Sequence, residues 1–199
     1  MRVVEFGAYL AAPLAGKYLA DLGHTVTCVC RPEGARGHAR ERSAMGRTWH
    51  DLRRRKRVLH ADLGRDRARI AQLVRESDVL IENLGPGVME RHGWSPADCR
   101  ELNPRLIYVS MPGFAPNDAA VPSKAWDSLI MAQTGALLDM GLNRTLLGVR
   151  ASFSALPMPS VYASVFAAFA VLSAAFDERW GEHVVVPLAS ALSEALVHN

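Results

Sequence analysis

Apolar positions along the chain follow two alternating rhythms. Residues 3–6 form a short apolar run with two adjacent valines, closed by Gly7, and 25–29 alternates as a strand does. Between them, 13–22 carries apolar side chains at helical spacing and stops at Gly23. The same alternation continues with a third strand at 58–63, an amphipathic helix at 65–76, a fourth strand at 78–82 and a fifth at 106–110. Single short strands separated by helices predict an α/β fold, an open, doubly wound, Rossmann-like parallel sheet flanked by helices. Residues 112–124, rich in Gly, Pro, Asn and Asp, predict a long connection. Beyond it the spacing predicts helices at 126–138 and 160–179, a strand at 183–186 and a helix running to the end. The chain thus divides into a Rossmann-like part, 1–125, and a helical segment, 126–199, that continues the same large domain.

Composition narrows the class without changing this picture. With 199 residues, 49% of them hydrophobic and 22% charged, the chain has globular composition, which excludes disordered, collagen-like and disulfide-scaffold classes. Three cysteines, Cys28, Cys30 and Cys99, are an odd count with no four-ligand pattern. A disulfide framework and a structural zinc site are both disfavoured, and a reducing, cytoplasmic setting is expected. The opening residues lack the basic and apolar stretches of a secretory signal, and the apolar run 161–176 reads as a buried helix shorter than a membrane span. No membrane role is therefore expected.

Charge is unevenly placed. Residues 31–75 hold 14 basic side chains against 5 acidic ones, whereas Arg179 is the only Lys or Arg after position 150. A polyanionic partner for the first half follows, either nucleic acid or a phosphorylated small molecule, with a solvated basic face as the alternative. The cluster 53–57, RRRKR, has no interleaved aromatic platform and no helix-turn-helix or zinc pattern beside it, so no nucleic acid is expected. The first turn, FGAYLAAP, offers one glycine where a dinucleotide fingerprint needs three, and the second strand ends in Cys30-Arg31 rather than an acid. Nicotinamide binding is disfavoured. The seven histidines form no HxxxH or HExxH pair, so no metal is expected, and no GxSxG elbow marks a serine hydrolase.

One block stands out: DVLIENLGPGVMERHGWSPADCRELNPRLIYVSMPGF, residues 78–114. Two successive strands each deliver a glycine-bearing loop, Gly85-Pro86-Gly87 and Pro112-Gly113-Phe114, to the same sheet edge, where open α/β sheets bind ligands. Arg91 and Lys124 are expected to flank that edge.

This block, with VVEFGAYLAAPLAGKYLADLGHTV from Val3, KRVLHADL and LNPRLIY, resembles the family III CoA-transferases. That family includes formyl-CoA transferase, the carnitine CoA-transferases and α-methylacyl-CoA racemase. The resemblance covers nearly the whole chain and is expected to represent the N-terminal half of polypeptides about twice as long. It implies a Rossmann-like large domain without the dinucleotide fingerprint, and two subunits interlocked as linked rings. A homodimer, or a heteromer with a related chain, is the expected assembly. It further implies coenzyme A or an acyl-CoA as substrate, with Tyr9, Leu10, Asn83 and Leu84 along its path and Arg31, Arg91 and Lys124 near its phosphates. Guanidinium groups suit phosphates because they form planar, charge-assisted hydrogen bonds.

The chain departs from the family where the chemistry takes place. Family transferases attack the thioester with an aspartate at the start of the long apolar helix, giving an anhydride and free CoA thiolate. Aligned by the helix end, SAAFDER, that aspartate is replaced by Ser160. A glutamine of formyl-CoA transferase aligns with Leu10, and the racemase histidine with Trp126. Asp127 matches an acidic position of the family, and equally suits a helix N-terminus. Asp127 and Ser160 are thus the candidate catalytic residues. Two functions remain: a CoA-transferase moving CoA between carboxylic acids, or a catalytically inactive CoA-transferase-like subunit or domain.

Overall fold

The computed structural model describes residues 1–32, 43, 45–117, 125–139, 148 and 156–197. Six strands make one sheet: β1 (Arg2–Phe6), β2 (Thr25–Cys30), β3 (Arg57–His60), β4 (Val79–Glu82), β5 (Ile107–Ser110) and β6 (His183–Val185). Their order is β3-β2-β1-β4-β5-β6, and every pair is parallel. Central strands such as VLIE and IYVS are nearly continuous apolar runs because helices cover both faces. The strand direction of growth reverses between β1 and β4, which opens a crevice beyond their C-terminal ends.

On one face lie α1 (Ala11–Asp21), α6 (Asp127–Gln133), α8 (Met158–Phe176) and α9 (Leu188–Val197), sharing one core with Val3, Val79, Ile107 and Val109. On the other lie α3 (Arg67–Arg75), α4 (Val88–Arg91) and α5 (Pro96–Leu102), whose Ile70, Val74, Met89 and Cys99 pack with Val4, Phe6, Leu80 and Trp94. Short helices α2 (Arg47–Asp51) and α7 (Ala136–Asp139) complete the described elements. The capping box of Ser95 and Asp98 starts α5 cleanly: each side chain accepts the other's backbone N–H.

The sheet matches the expected architecture, with shifts at several ends. The third strand is shorter, ending at His60 rather than 63. The single helix expected at 126–138 is two, because Gly135 takes φ +76 after Thr134 and interrupts the turn. The long apolar helix begins at Met158 with a proline in its first turn and ends at Phe176. Over its 19 residues it is long and apolar enough to cross a membrane. Yet Ala163, Ala167, Val171 and Ala174 are fully buried in the shared core, as in a core helix of a folded domain. Its opposite side leaves Phe169 69% and Phe176 88% exposed.

Candidate functional site at the strand-order reversal

A hollow of about 420 Å³ opens at the crevice beyond β1 and β4. The β1–α1 turn supplies Ala8, Tyr9 and Leu10; the end of β2 supplies Arg31; the loop after β4 supplies Asn83 and Leu84. The N-termini of α6 and α8 close it with Trp126, Asp127 and Ser160. Seven of the nine residues singled out from the sequence therefore surround one space. Arg91 does not line it: α4 is a single turn, and its last residue folds its guanidinium back over Gly87. Lys124 lies outside the described residues.

Several of these side chains shape the wall. Asn83 clamps the two loops of the crevice, its Oδ1 accepting from Ala8 N (2.8 Å) and its Nδ2 donating to Ala8 O (2.9 Å). Both functions of its amide are thus engaged by backbone, a contact between residues 75 apart that no local sequence pattern reveals. Tyr9 sits at φ +58, a left-handed conformation costly for an aromatic residue, and its ring meets Trp126 edge-on at 5.1 Å. Gly113, across the crevice, must be glycine: a Cβ there would stand 1.7 Å from that of Ala125.

At the far end of the hollow Asp127 and Ser160 form a closed pair. Ser160 Oγ donates to Asp127 Oδ2 and Ser160 N donates to Oδ1, each at 2.8 Å. The serine is 4% exposed, and Asp127 is the only carboxylate lining this hollow among the described residues. Arg31 lies where the space meets a second hollow of about 370 Å³, bordered also by Cys30, Arg53, Asp62 and His92. Arg31 thus borders both hollows, Arg53 the second, and the Asp127–Ser160 pair the first alone.

Glu82, at the tip of β4, faces a neighbouring hollow with Ser110 and His183. Its Oε2 accepts from Leu84 N at 3.0 Å, and Ser110 Oγ is 3.0 Å from His183 Nε2. Burial raises its carboxyl from 4.5 to about 7, opposed by hydrogen bonds from Leu84 and Ser110 and assisted by Glu90. Folding therefore favours the protonated form, so this group's stabilisation is complete below about pH 4 and is lost as pH rises through 7. Glu82→Gln, which keeps the acceptor for Leu84 N, is expected to raise stability by roughly 2–3 kcal/mol at pH 8 and leave it unchanged at pH 4. Urea unfolding at both pH values checks this; equal gains at the two would refute it. Among the described residues no group of three or more His, Cys, Asp or Glu is placed to hold a metal ion.

Comparison with known proteins bears on this geometry directly. The profile described as CoA-transferase family III matches residues 1–197. The chain belongs to that family. A relative, the CoA-transferase/lyase DddD of Marinomonas sp. (strain MWYL1), is 39% identical over 207 residues, which is 100% of this chain and 24% of that protein. The succinate–glutarate CoA-transferase of Agrobacterium fabrum is 34% identical over 153 residues, 71% of this chain and 38% of that protein. Among solved structures, a CAIB/BAIF family protein from Brucella suis superimposes with a TM-score of 0.86 at 25% identity, covering 100% of this chain and 55% of that one. A hypothetical protein from Mycobacterium tuberculosis gives 0.85 at 25%, with 56% of its chain covered. The matched part of this family III chain thus amounts to about a quarter to just over half the length of these four proteins.

Proposed function

We propose that the crevice holds coenzyme A or an acyl-CoA, with the phosphates at the Arg31 end and the thioester toward Asp127 and Ser160, in a protein that serves CoA transfer between carboxylic acids. The observation that carries this reading is the polarity of the joined hollows: Arg31 borders both, Arg53 lines the second, and a carboxylate–hydroxyl pair lines the first away from their junction. CoA has the same polarity, with clustered phosphates at one end and a reactive thiol at the other. The names of the CoA-transferase relatives agree with it.

A second reading, that this part of the protein binds but does not turn over, is favoured by the Asp127–Ser160 pair. A serine nucleophile needs a base that takes its proton, and a carboxylate is a weak base for an alcohol. Asp127 already receives two hydrogen bonds, which lower the nucleophilicity of its oxygens. The lengths of the relatives support a related partner half: 207 aligned residues are 24% of DddD but 153 are 38% of the succinate–glutarate enzyme, making DddD roughly twice as long. The exposed Phe169 and Phe176 on α8 suit cover by such a half or by a second copy.

Incubation with an acyl-CoA and an acceptor carboxylate, followed by mass measurement of the protein, separates the readings. Exchange of CoA with an adduct on Asp127 or Ser160 establishes turnover by this chain. Calorimetric binding of CoA without exchange establishes the silent half, and absence of binding refutes both. A Ser160→Asp variant that gains exchange would show that only the nucleophile is missing.

A further inference from the structure

Cys28 and Cys30 stand two residues apart on β2, so their side chains share one face of the strand. Their sulfurs are 3.2 Å apart. Arg53 Nη2 approaches Cys30 Sγ at 3.4 Å, while the same guanidinium stacks 3.2 Å over the Trp49 ring and donates through Nη1 to Trp49 O. Cys30, 4% exposed, also borders the second hollow. Cys99, by contrast, is sealed in the opposite core layer, and burial raises its thiol to about 12.

We propose that Cys28 and Cys30 form a redox-active vicinal dithiol that a peroxide converts to an intrastrand disulfide, with Cys30 as the attacking sulfur. The hydrogen bond shared with Cys28 and the charge of Arg53, against the cost of burial, hold the Cys30 thiol below its usual range. That same hydrogen bond, burial and the nearby Glu5 hold the Cys28 thiol well above it, against the opposing charge of Lys56. Arg53 Nη2 faces the Cys30 sulfur, so Cys30 attacks and Cys28 resolves.

In the first step the Cys30 thiolate attacks one peroxide oxygen; an S–O bond forms, the O–O bond breaks, and hydroxide leaves. In the second, Cys28 sulfur attacks the sulfenic sulfur; the S–S bond forms, the S–O bond breaks, and the Cys28 proton departs with the hydroxide as water. The pair loses two electrons, and the peroxide is reduced to two waters. Along an extended strand at about 3.3 Å per residue, the Cα atoms of positions i and i+2 lie near the upper limit a disulfide spans and their Cβ atoms beyond it, so closing the bond bends the strand locally. The product is accordingly strained and readily reduced. Forming it also removes the negative sulfur facing Arg53, leaving that cation unbalanced at the border of the hollow.

The test treats the full chain with a slight excess of hydrogen peroxide at neutral pH. Expected are a mass loss of about 2 Da, a peptide carrying a bond between residues 28 and 30, a Cys99 that alkylates once the chain is denatured, and full reversal by dithiothreitol. Phenylarsine oxide, which bridges two neighbouring thiols, should add once to the reduced chain and not to the oxidised one. Cys28→Ser should stop at the sulfenic acid on residue 30, trapped by dimedone, and Arg53→Gln should slow oxidation about tenfold. Oxidation of Cys99 at an equal or faster rate, a product made only of disulfides between chains, or an unchanged mass would overturn the proposal. These three outcomes are read on the unsubstituted chain, so they decide the matter even where a variant fails to fold.

Discussion

Lys56→Met is expected to destabilise the chain by about 3–5 kcal/mol. Lys56 Nζ lies 2.6 Å from Glu5 Oε2 and 2.6 Å from Pro13 O, and neither charged side chain has measurable exposure. Glu5 is the penultimate residue of β1, with its other oxygen, Oε1, lacking a hydrogen-bond partner among the described residues. Without the ammonium, a carboxylate would be stranded in the core. The neighbouring helix has shaped itself to this pair: a Cβ on Gly16 of α1 would stand 2.1 Å from Glu5 Oε2. The double variant Glu5→Leu/Lys56→Met should recover most of the loss, because replacing both charges by apolar groups removes the desolvation penalty with the attraction. Urea unfolding of the three proteins at neutral pH measures this. A single variant within about 1 kcal/mol of the parent would show that the pair is not closed to water.

Arg31→Ala is expected to weaken CoA binding by about 10- to 100-fold, the worth of a charge-assisted hydrogen bond of roughly 1.5–3 kcal/mol. Arg31 follows the last residue of β2 and borders both hollows, the position from which one guanidinium can reach a phosphate at their junction. Its carbonyl is tied to His60 Nδ1 at 3.0 Å, which anchors the backbone at the end of β3. Arg31→Lys should fall between the two because a lysine keeps the charge and loses the planar fork. Calorimetry at one fixed salt concentration reads the change. Equal affinity in the alanine variant would mean that the phosphates lie elsewhere.

Local pattern made most of the fold legible. VVEF, TVTCVC, VLIE and IYVS read as buried strands, and the intervening segments as helices, because period-2 and period-3.6 spacing are properties of neighbouring residues. The helix Arg47–Asp51 has no such signature, because RTWHD buries only Trp49 and shows no apolar repeat. The break at Gly135 is hidden because the apolar positions on either side keep one helical rhythm across it. At the site, residue types are readable and partnerships are not. Asn83 is expected along a ligand's path, whereas its amide is engaged by the backbone of Ala8.

By itself, then, the sequence determined the parallel α/β architecture and the family, since each depends on residues adjacent in the chain or on a contiguous motif. The tertiary structure alone decided that Asp127 accepts the hydrogen bond of the Ser160 hydroxyl, that Lys56 neutralises Glu5, that Arg91 lies over Gly87 outside the hollow's lining, and that Arg53 faces the Cys30 sulfur. Most of these are meetings of side chains separated by 23 to 51 residues, and no periodicity records them. They exist because the crossovers between parallel strands carry remote segments to one edge of the sheet.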